Sequence, residues 1–319
     1  FWTLPTNTMA EILGNTVQQS ILLHGATNNS LPHSLLFSGQ EGIGKKLCAI
    51  NLAKTMLCAS GNACGACPSC VQIDHGTHPD VIMIEPNDKG NIPIGSDEQE
   101  GSIRWLIGRI SLASVHNQRV IIINDAHCMN IQSQNALLKT IEEPPAHTYI
   151  ILISSERNQL LPTIRSRVAE YVFHPLGDSD LVSILEKSGI DRQKFGSIIP
   201  VAGGSASYAL TLSDDDIFSH LKEAYSAIAS FVCQPEIFSY ELSPIIQNIG
   251  AYKTIDLLIN IFRLHCSTKS AVPWLYSALD QTHAVEIIKI LLELRRGISH
   301  NINIRMALKG MLYSLCFAK

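Results

Sequence analysis

The stretch Ser34–Lys46, SLLFSGQEGIGKK, decides the fold. A short apolar run ends in a glycine-rich turn, and LCAINLAKTMLC, from Leu47 to Cys58, continues with helical spacing. Strand, glycine loop and helix in that order open a βαβ unit. The loop fits the pattern G-x-x-x-x-G-K through Lys45, which makes Gly39, Gly42, Gly44 and Lys45 the candidate nucleotide-binding residues. Such a loop cradles phosphates with backbone N–H groups, reaches the β and γ phosphates with its lysine, and holds magnesium through a Ser or Thr hydroxyl. Here the hydroxyl position is Lys46, and an ammonium repels a cation.

Outward from this loop, Val81–Ile84 (VIMI), Val120–Asn124 (VIIIN) and Tyr149–Ser154 (YIILIS) read as further strands. Continuous apolar runs separated by helical segments predict a parallel sheet covered on both faces. Ile103, Leu106, Ile107 and Ile110 mark an amphipathic helix after a polar loop at Asn87–Gly101. From Phe173 short helical segments surround Gly203-Gly204, and beyond Asp214-Asp215-Asp216 only helices are expected. Two apolar stripes stand out there: Ile255, Leu258, Ile259 and Phe262, and then Ile287, Ile288, Leu291 and Leu294, which ends at Arg295-Arg296-Gly297.

A phosphate-loop enzyme also needs an acidic pair at the end of a neighbouring strand, one carboxylate for magnesium and the next to polarise water. After VIII the chain offers Asn124 and Asp125, so the metal site is weakened twice. Anion binding can survive, because a helix N-terminus and two lysines still favour it. Three readings stay open for the loop: hydrolysis in cis, simple binding of ATP or ADP, and a degenerate structural turn.

The chain has 319 residues, 46% apolar and 16% charged, which suits two or three globular domains and excludes a disordered chain. Its 24 basic and 28 acidic residues give a formal charge of -4, which disfavours a free-standing electrostatic DNA or membrane binder. No apolar run approaches the roughly 20 residues of a membrane span, and the opening FWTLPTNTMAEILGN lacks the pattern of a secretory leader. A cytoplasmic location is expected.

Cys58, Cys64, Cys67 and Cys70 follow C-x5-C-x2-C-x2-C, with Gly61, Gly65 and Pro68 supplying turns. Four thiolates on a tight loop suit a closed tetrahedral zinc site, which leaves no position for a water nucleophile; the zinc is therefore structural. Four unligated thiols are the competing reading. His75 and His78 are taken as structural, and Cys48, Cys128, Cys233, Cys266 and Cys316 as small apolar residues.

Asn135–Pro145, NALLKTIEEPP, reads as an amphipathic helix with Leu137, Leu138 and Ile141 inward and Pro144-Pro145 as its stop. Together with HSLLFSGQEGIGKK, the four cysteines, GTHPD at Gly76–Asp80 and TIRSR at Thr163–Arg167, in that order, it resembles the delta-prime family of bacterial DNA polymerase III clamp-loader subunits. The resemblance covers about residues 10 to 210. It implies a RecA-like α/β AAA+ domain carrying the zinc module over residues 1–172, a small helical lid over 173–213 and an all-α collar for oligomerisation over 214–319. It also implies a hetero-pentameric ring with gamma/tau motor subunits and a delta subunit, acting on a sliding clamp and primed DNA, with no membrane partner.

Delta-prime members look like rigid subunits that do not hydrolyse ATP, in agreement with Lys46 and Asn124. GGSASYAL places Ser207 where motors of the family carry a phosphate-sensing arginine, and Ser154 or Ser155 stands at the polar sensor position. The resemblance also makes Arg167, in Ser166-Arg167-Val168, an arginine finger acting in trans on a neighbour's ATP, although Val168 replaces the family's cysteine. A planar guanidinium suits phosphate oxygens and the charge of the transition state. Ordinary solvated or salt-bridged arginines are the alternative for Arg165 and Arg167. For Lys139, Glu142 and Glu143, a charged outer helix face is the simpler reading. The functional expectation is a non-hydrolysing member of the polymerase holoenzyme; an ATP-hydrolysing motor, another zinc-bearing AAA+ ATPase and a scaffold outside replication are the alternatives.

Overall fold

The computed structural model describes residues 12–88, 90–111, 114–116, 118–233, 243–267, 274–275, 279–298 and 304–317. Residues 1–11, the greater part of the opening FWTLPTNTMAEILGN and including Met9, lie outside them. The chain divides at Leu176/Gly177 into two compact units.

The first unit starts with α1 (Thr16–Thr27), then β1 (Ser34–Ser38) and α2 (Lys45–Leu57). It continues through α3 (Pro68–Asp74), β2 (Val81–Ile84), α4 (Ile103–Ile110), β3 (Arg119–Ile123), α5 (Ile131–Glu142), β4 (Thr148–Ser154), α6 (Pro162–Arg165) and β5 (Ala169–Val172). The strands form one parallel sheet in the order β2-β3-β4-β1-β5. The register sets Leu36 opposite Leu152, Ile151 opposite Ile122, and Ile122 opposite Met83. Strands β1 and β3 are buried at every position, as continuous apolar runs in a parallel sheet demand. Leu36, Ile121, Ile123, Ile150 and Leu152 pack with Leu106 and Ile110 of α4 and with Leu137 and Ile141 of α5. Each such fully buried side chain contributes about 1.5–3 kcal/mol.

Strand β5 is an addition to the expected four. It is short, half-exposed in alternation, and paired only with β1, so it carries no continuous apolar signal. The segment read as a polar loop, residues 87–101, also holds a buried anchor. Ile92 is fully buried and forms a parallel bridge with Met129.

The second unit is helical throughout its described residues: α7 (Asp178–Lys187), α8 (Phe195–Ala202), α9 (Ala206–Thr211), α10 (Asp215–Cys233), α11 (Ser243–Ile249), α12 (Ala251–Ser267), α13 (Gln281–Gly297) and α14 (Ile304–Phe317). Both predicted stripes face inward, with Ile255, Leu258, Ile259 and Phe262 of α12 buried and Ile287, Leu291 and Leu294 of α13 buried; Ile288 is only half-buried. Polar staples set the helix register. The Tyr208 hydroxyl donates to Asp256 at 2.9 Å, and Arg295 pairs with the same carboxylate. His265 joins the Tyr225 hydroxyl at 3.1 Å to the Leu279 carbonyl at 2.7 Å. No helix among the described residues is long and apolar enough to cross a membrane.

Candidate nucleotide, metal and arginine sites

Because all five strands run in parallel, their C-terminal ends share one edge of the sheet, where open α/β sheets bind ligands. The glycine loop leaves β1 there: Gly39 N–H donates to Ser154 O at 3.2 Å, and Phe173 N–H to Ser38 O at 2.7 Å. Gly39 (φ 143°) lies so close to the Phe173 carbonyl that an added Cβ would stand 2.3 Å from its oxygen, so only glycine fits. Gly44, at φ 92°, is the N-cap of α2.

Lys45 begins α2 and is buried, its Nζ donating to the carbonyls of Gly39 at 2.6 Å and Gln40 at 2.5 Å. Burial lowers its pKa to about 8, partly opposed by the charges of Asp125 and Glu41. Lys46 turns elsewhere: its Nζ pairs at 2.6 Å with Glu85, the residue after β2. Beside β3, the Asn124 side-chain amide donates to the Asp125 carboxylate at 3.0 Å, and Asp125 itself sits in the left-handed region at φ 48°. The position that needs a magnesium-binding hydroxyl thus holds an ammonium already matched to a carboxylate. The position that needs a magnesium-binding carboxylate holds an amide. At the end of β4, Ser154 caps Glu156 N–H at 3.1 Å, and Ser155 Oγ stands 3.5 Å from His127 Nε2. In the second unit Ser207 lies at the start of α9, with Lys253 Nζ 3.5 Å from its hydroxyl.

The four cysteines converge between α2 and α3. Their sulfur atoms all lie within 4.8 Å of one another, with Cys58 and Cys67 Sγ 3.8 Å apart. Cys67 is the N-cap of α3, with Pro68 at its first position, so the helix start fixes Cys67 and Cys70 one turn apart. Burial opposes ionisation of Cys58, but hydrogen bonds from the Ser60 hydroxyl and from the N–H groups of Cys64, Ser60 and Asn62 outweigh it and bring its pKa down to about 5. Burial pushes the Cys70 thiol up to about 12. Four soft donors at this mutual distance fit a tetrahedral zinc ion.

A second close group, His78, Asp80 and His116, does not suit a metal. His78 Nδ1 accepts the Asp80 N–H at 3.1 Å, so its proton is on Nε2, which has no hydrogen-bond partner among the described residues. A metal-bound histidine instead donates from its second ring nitrogen. Asp80 is spent on protein donors: Val115 N–H, His116 N–H and His116 Nδ1, between 2.8 and 3.1 Å. Its carboxyl is held below the usual range, because these hydrogen bonds outweigh the effect of burial. This buried staple accounts for HPD in GTHPD.

Helix α5 is capped by Asn130, whose Oδ1 accepts Ser133 N–H at 2.8 Å, and stops before Pro144-Pro145. From it Gln134, buried, donates to Met129 O at 2.9 Å and Gln159 O at 3.2 Å and accepts Leu161 N–H at 2.7 Å. Gln134 thereby fastens α5 to the segment that carries Arg167. Arg167 is half-exposed, and its Nε lies 3.2 Å from Glu142 Oε2. Sequence reasoning missed Gln134, Glu85 and the Glu142 contact. Only Gln134 left a signal, as the polar residue directly before NALLK.

Residues 14–177, just over half of the chain, match the family described as DNA polymerase III, delta subunit. The chain belongs to that family. Among individual relatives it is similar to DNA polymerase III subunit delta' of Pseudomonas aeruginosa, 38% identical over 179 residues that cover 54% of this chain and 53% of that protein. It is 25% identical over 321 residues to subunit delta' of Bacillus subtilis, covering 92% of this chain and 94% of that one. It is also 33% identical over 218 residues to subunit gamma/tau of Mycobacterium tuberculosis, covering 64% of this chain and 36% of that protein. The match thus spans about half the length of the Pseudomonas relative and about a third of the gamma/tau protein. Among solved structures, a DNA polymerase III gamma subunit-related protein from Thermotoga maritima shares the fold, with a TM-score of 0.51 at 19% identity over 93% of this chain and 98% of that one. The delta-prime resemblance carried by NALLK, the cysteines and TIRSR therefore holds in this polymerase III subunit family.

Proposed function

We propose that the chain is a non-hydrolysing clamp-loader subunit that supports a ring and lends Arg167 to the ATP site of a neighbouring motor subunit. The observation that carries the first half is the half-exposed Lys46–Glu85 pair, a cation and its counter-charge where magnesium needs oxygen ligands. Asn124, bound to Asp125, removes a second ligand. Lys45 folded onto two loop carbonyls is compatible with a structural turn, and an incoming phosphate must displace those contacts. Exposure of Arg167 beside α6 supports the second half.

The relatives are named as polymerase III subunits, so the partners proposed are gamma/tau motors, a delta subunit, the sliding clamp and, through the assembly, primed DNA. Residues 173–213 are proposed as the lid and 214–319 as the oligomerising collar. Zinc held by Cys58, Cys64, Cys67 and Cys70 fixes the loop between α2 and α3 and supplies no chemistry. A cytoplasmic location follows from that role.

The intact Gly39–Lys45 pattern and the likeness to gamma/tau favour a motor as the second reading. Magnesium-dependent ATP turnover by the purified chain separates the two. Turnover at background, unchanged by Lys45→Ala, is expected; robust turnover abolished by that substitution establishes the motor.

A further inference from the structure

Arg167 follows α6, and its guanidinium is held at two of its three nitrogens. Nε pairs with Glu142 Oε2 at 3.2 Å, while Nη1 donates to the Thr163 carbonyl at 3.1 Å and lies 3.4 Å from Ser166 Oγ. Among the described residues, Nη2 donates no hydrogen bond. Glu142 closes α5, the helix that Gln134 fastens to the Arg167 segment, so carboxylate and guanidinium are carried by elements locked together.

The pair is exposed at both ends, 38% for Arg167 and 56% for Glu142. Ion pairs of this kind add little to stability, because water screens them and two long side chains lose freedom. What the contact does change is orientation. An arginine side chain has many rotamers, and fixing one beforehand lessens the entropy lost when it meets a ligand. Here the carboxylate contacts Nε and the Thr163 carbonyl takes a hydrogen of Nη1, which leaves the hydrogens of Nη2 for a phosphate oxygen.

We infer that Glu142 is a positioning residue for Arg167, holding the guanidinium by Nε so that Nη2 is presented to the phosphates of a nucleotide bound by a neighbouring subunit. The inference rests on the arginine-finger reading above. The outward face of EEPP then has a specific task at its first glutamate.

The test is ATP turnover of the reconstituted clamp-loader complex on primed DNA, with wild type, Glu142→Ala, Glu142→Gln, Arg167→Ala and the double variant Glu142→Ala/Arg167→Ala. Glu142→Ala lowers turnover about threefold with assembly intact. Glu142→Gln, which keeps the length and an oxygen that can accept from the guanidinium, stays near wild type. The double variant matches Arg167→Ala alone, which a purely structural loss at Glu142 does not produce. Glu142→Ala turnover equal to or above wild type while Arg167→Ala is impaired overturns the positioning role and leaves the finger standing. Unchanged turnover in Arg167→Ala removes the finger reading itself, and the inference with it.

Discussion

Single side chains decide what the phosphate loop can do. Lys46 and Asn124 are read directly from the sequence, because each stands at a fixed offset from a motif: one after Lys45, the other at the end of VIII. Their partners are not. Glu85 reaches Lys46 from 39 residues away, and Glu142 meets Arg167 across 25, so no local spacing announces either pair. The same holds for Asp80, whose acceptors bind a loop 35 and 36 residues later. With its carboxyl held below the ordinary value of about 3.9, Asp80 contributes stability that is fully present above that pH and lost as the pH falls through its lowered folded value. Asp80→Asn is therefore expected to destabilise the chain by about 1–3 kcal/mol at neutral pH and to flatten the loss of stability below pH 4, as urea titrations at several pH values would show. An Asn variant as stable as wild type at pH 7 would contradict this role.

At the scale of elements, the buried strands and the helix ends were legible and the edges were not. Strands β1 and β2 run over the residues their apolar runs predict, β3 lies one residue earlier at both ends, and β4 starts one residue earlier. Strand β5 escaped because AEYV at a sheet edge buries only alternate positions by half. The cysteine loop was legible because its chemistry is written in spacing: α3 places Cys67 and Cys70 one turn apart, and the turns at Gly61 and Gly65, with φ near 70°, bring Cys58 and Cys64 alongside. Metal analysis of the purified chain is expected to give about one zinc per chain, and Cys64→Ser to give clearly less together with earlier thermal unfolding. Metal-free protein of undiminished stability would refute the ligand set.

For the molecule as a whole, the two units carry different parts of the account. The first carries a phosphate loop ill-suited to magnesium at the C-terminal edge of its sheet and, just before β5 at the opposite edge, the exposed Arg167, while the second is proposed to supply the helices for assembly. On the proposed reading such a chain acts through neighbours, and its contribution shows in the complex. The most direct measurement is therefore steady-state ATP hydrolysis by the complex reconstituted with this chain, primed DNA and clamp, comparing wild type with Arg167→Ala after confirming equal assembly. The account predicts a fall of about tenfold in turnover. Equal rates for the two complexes would contradict it.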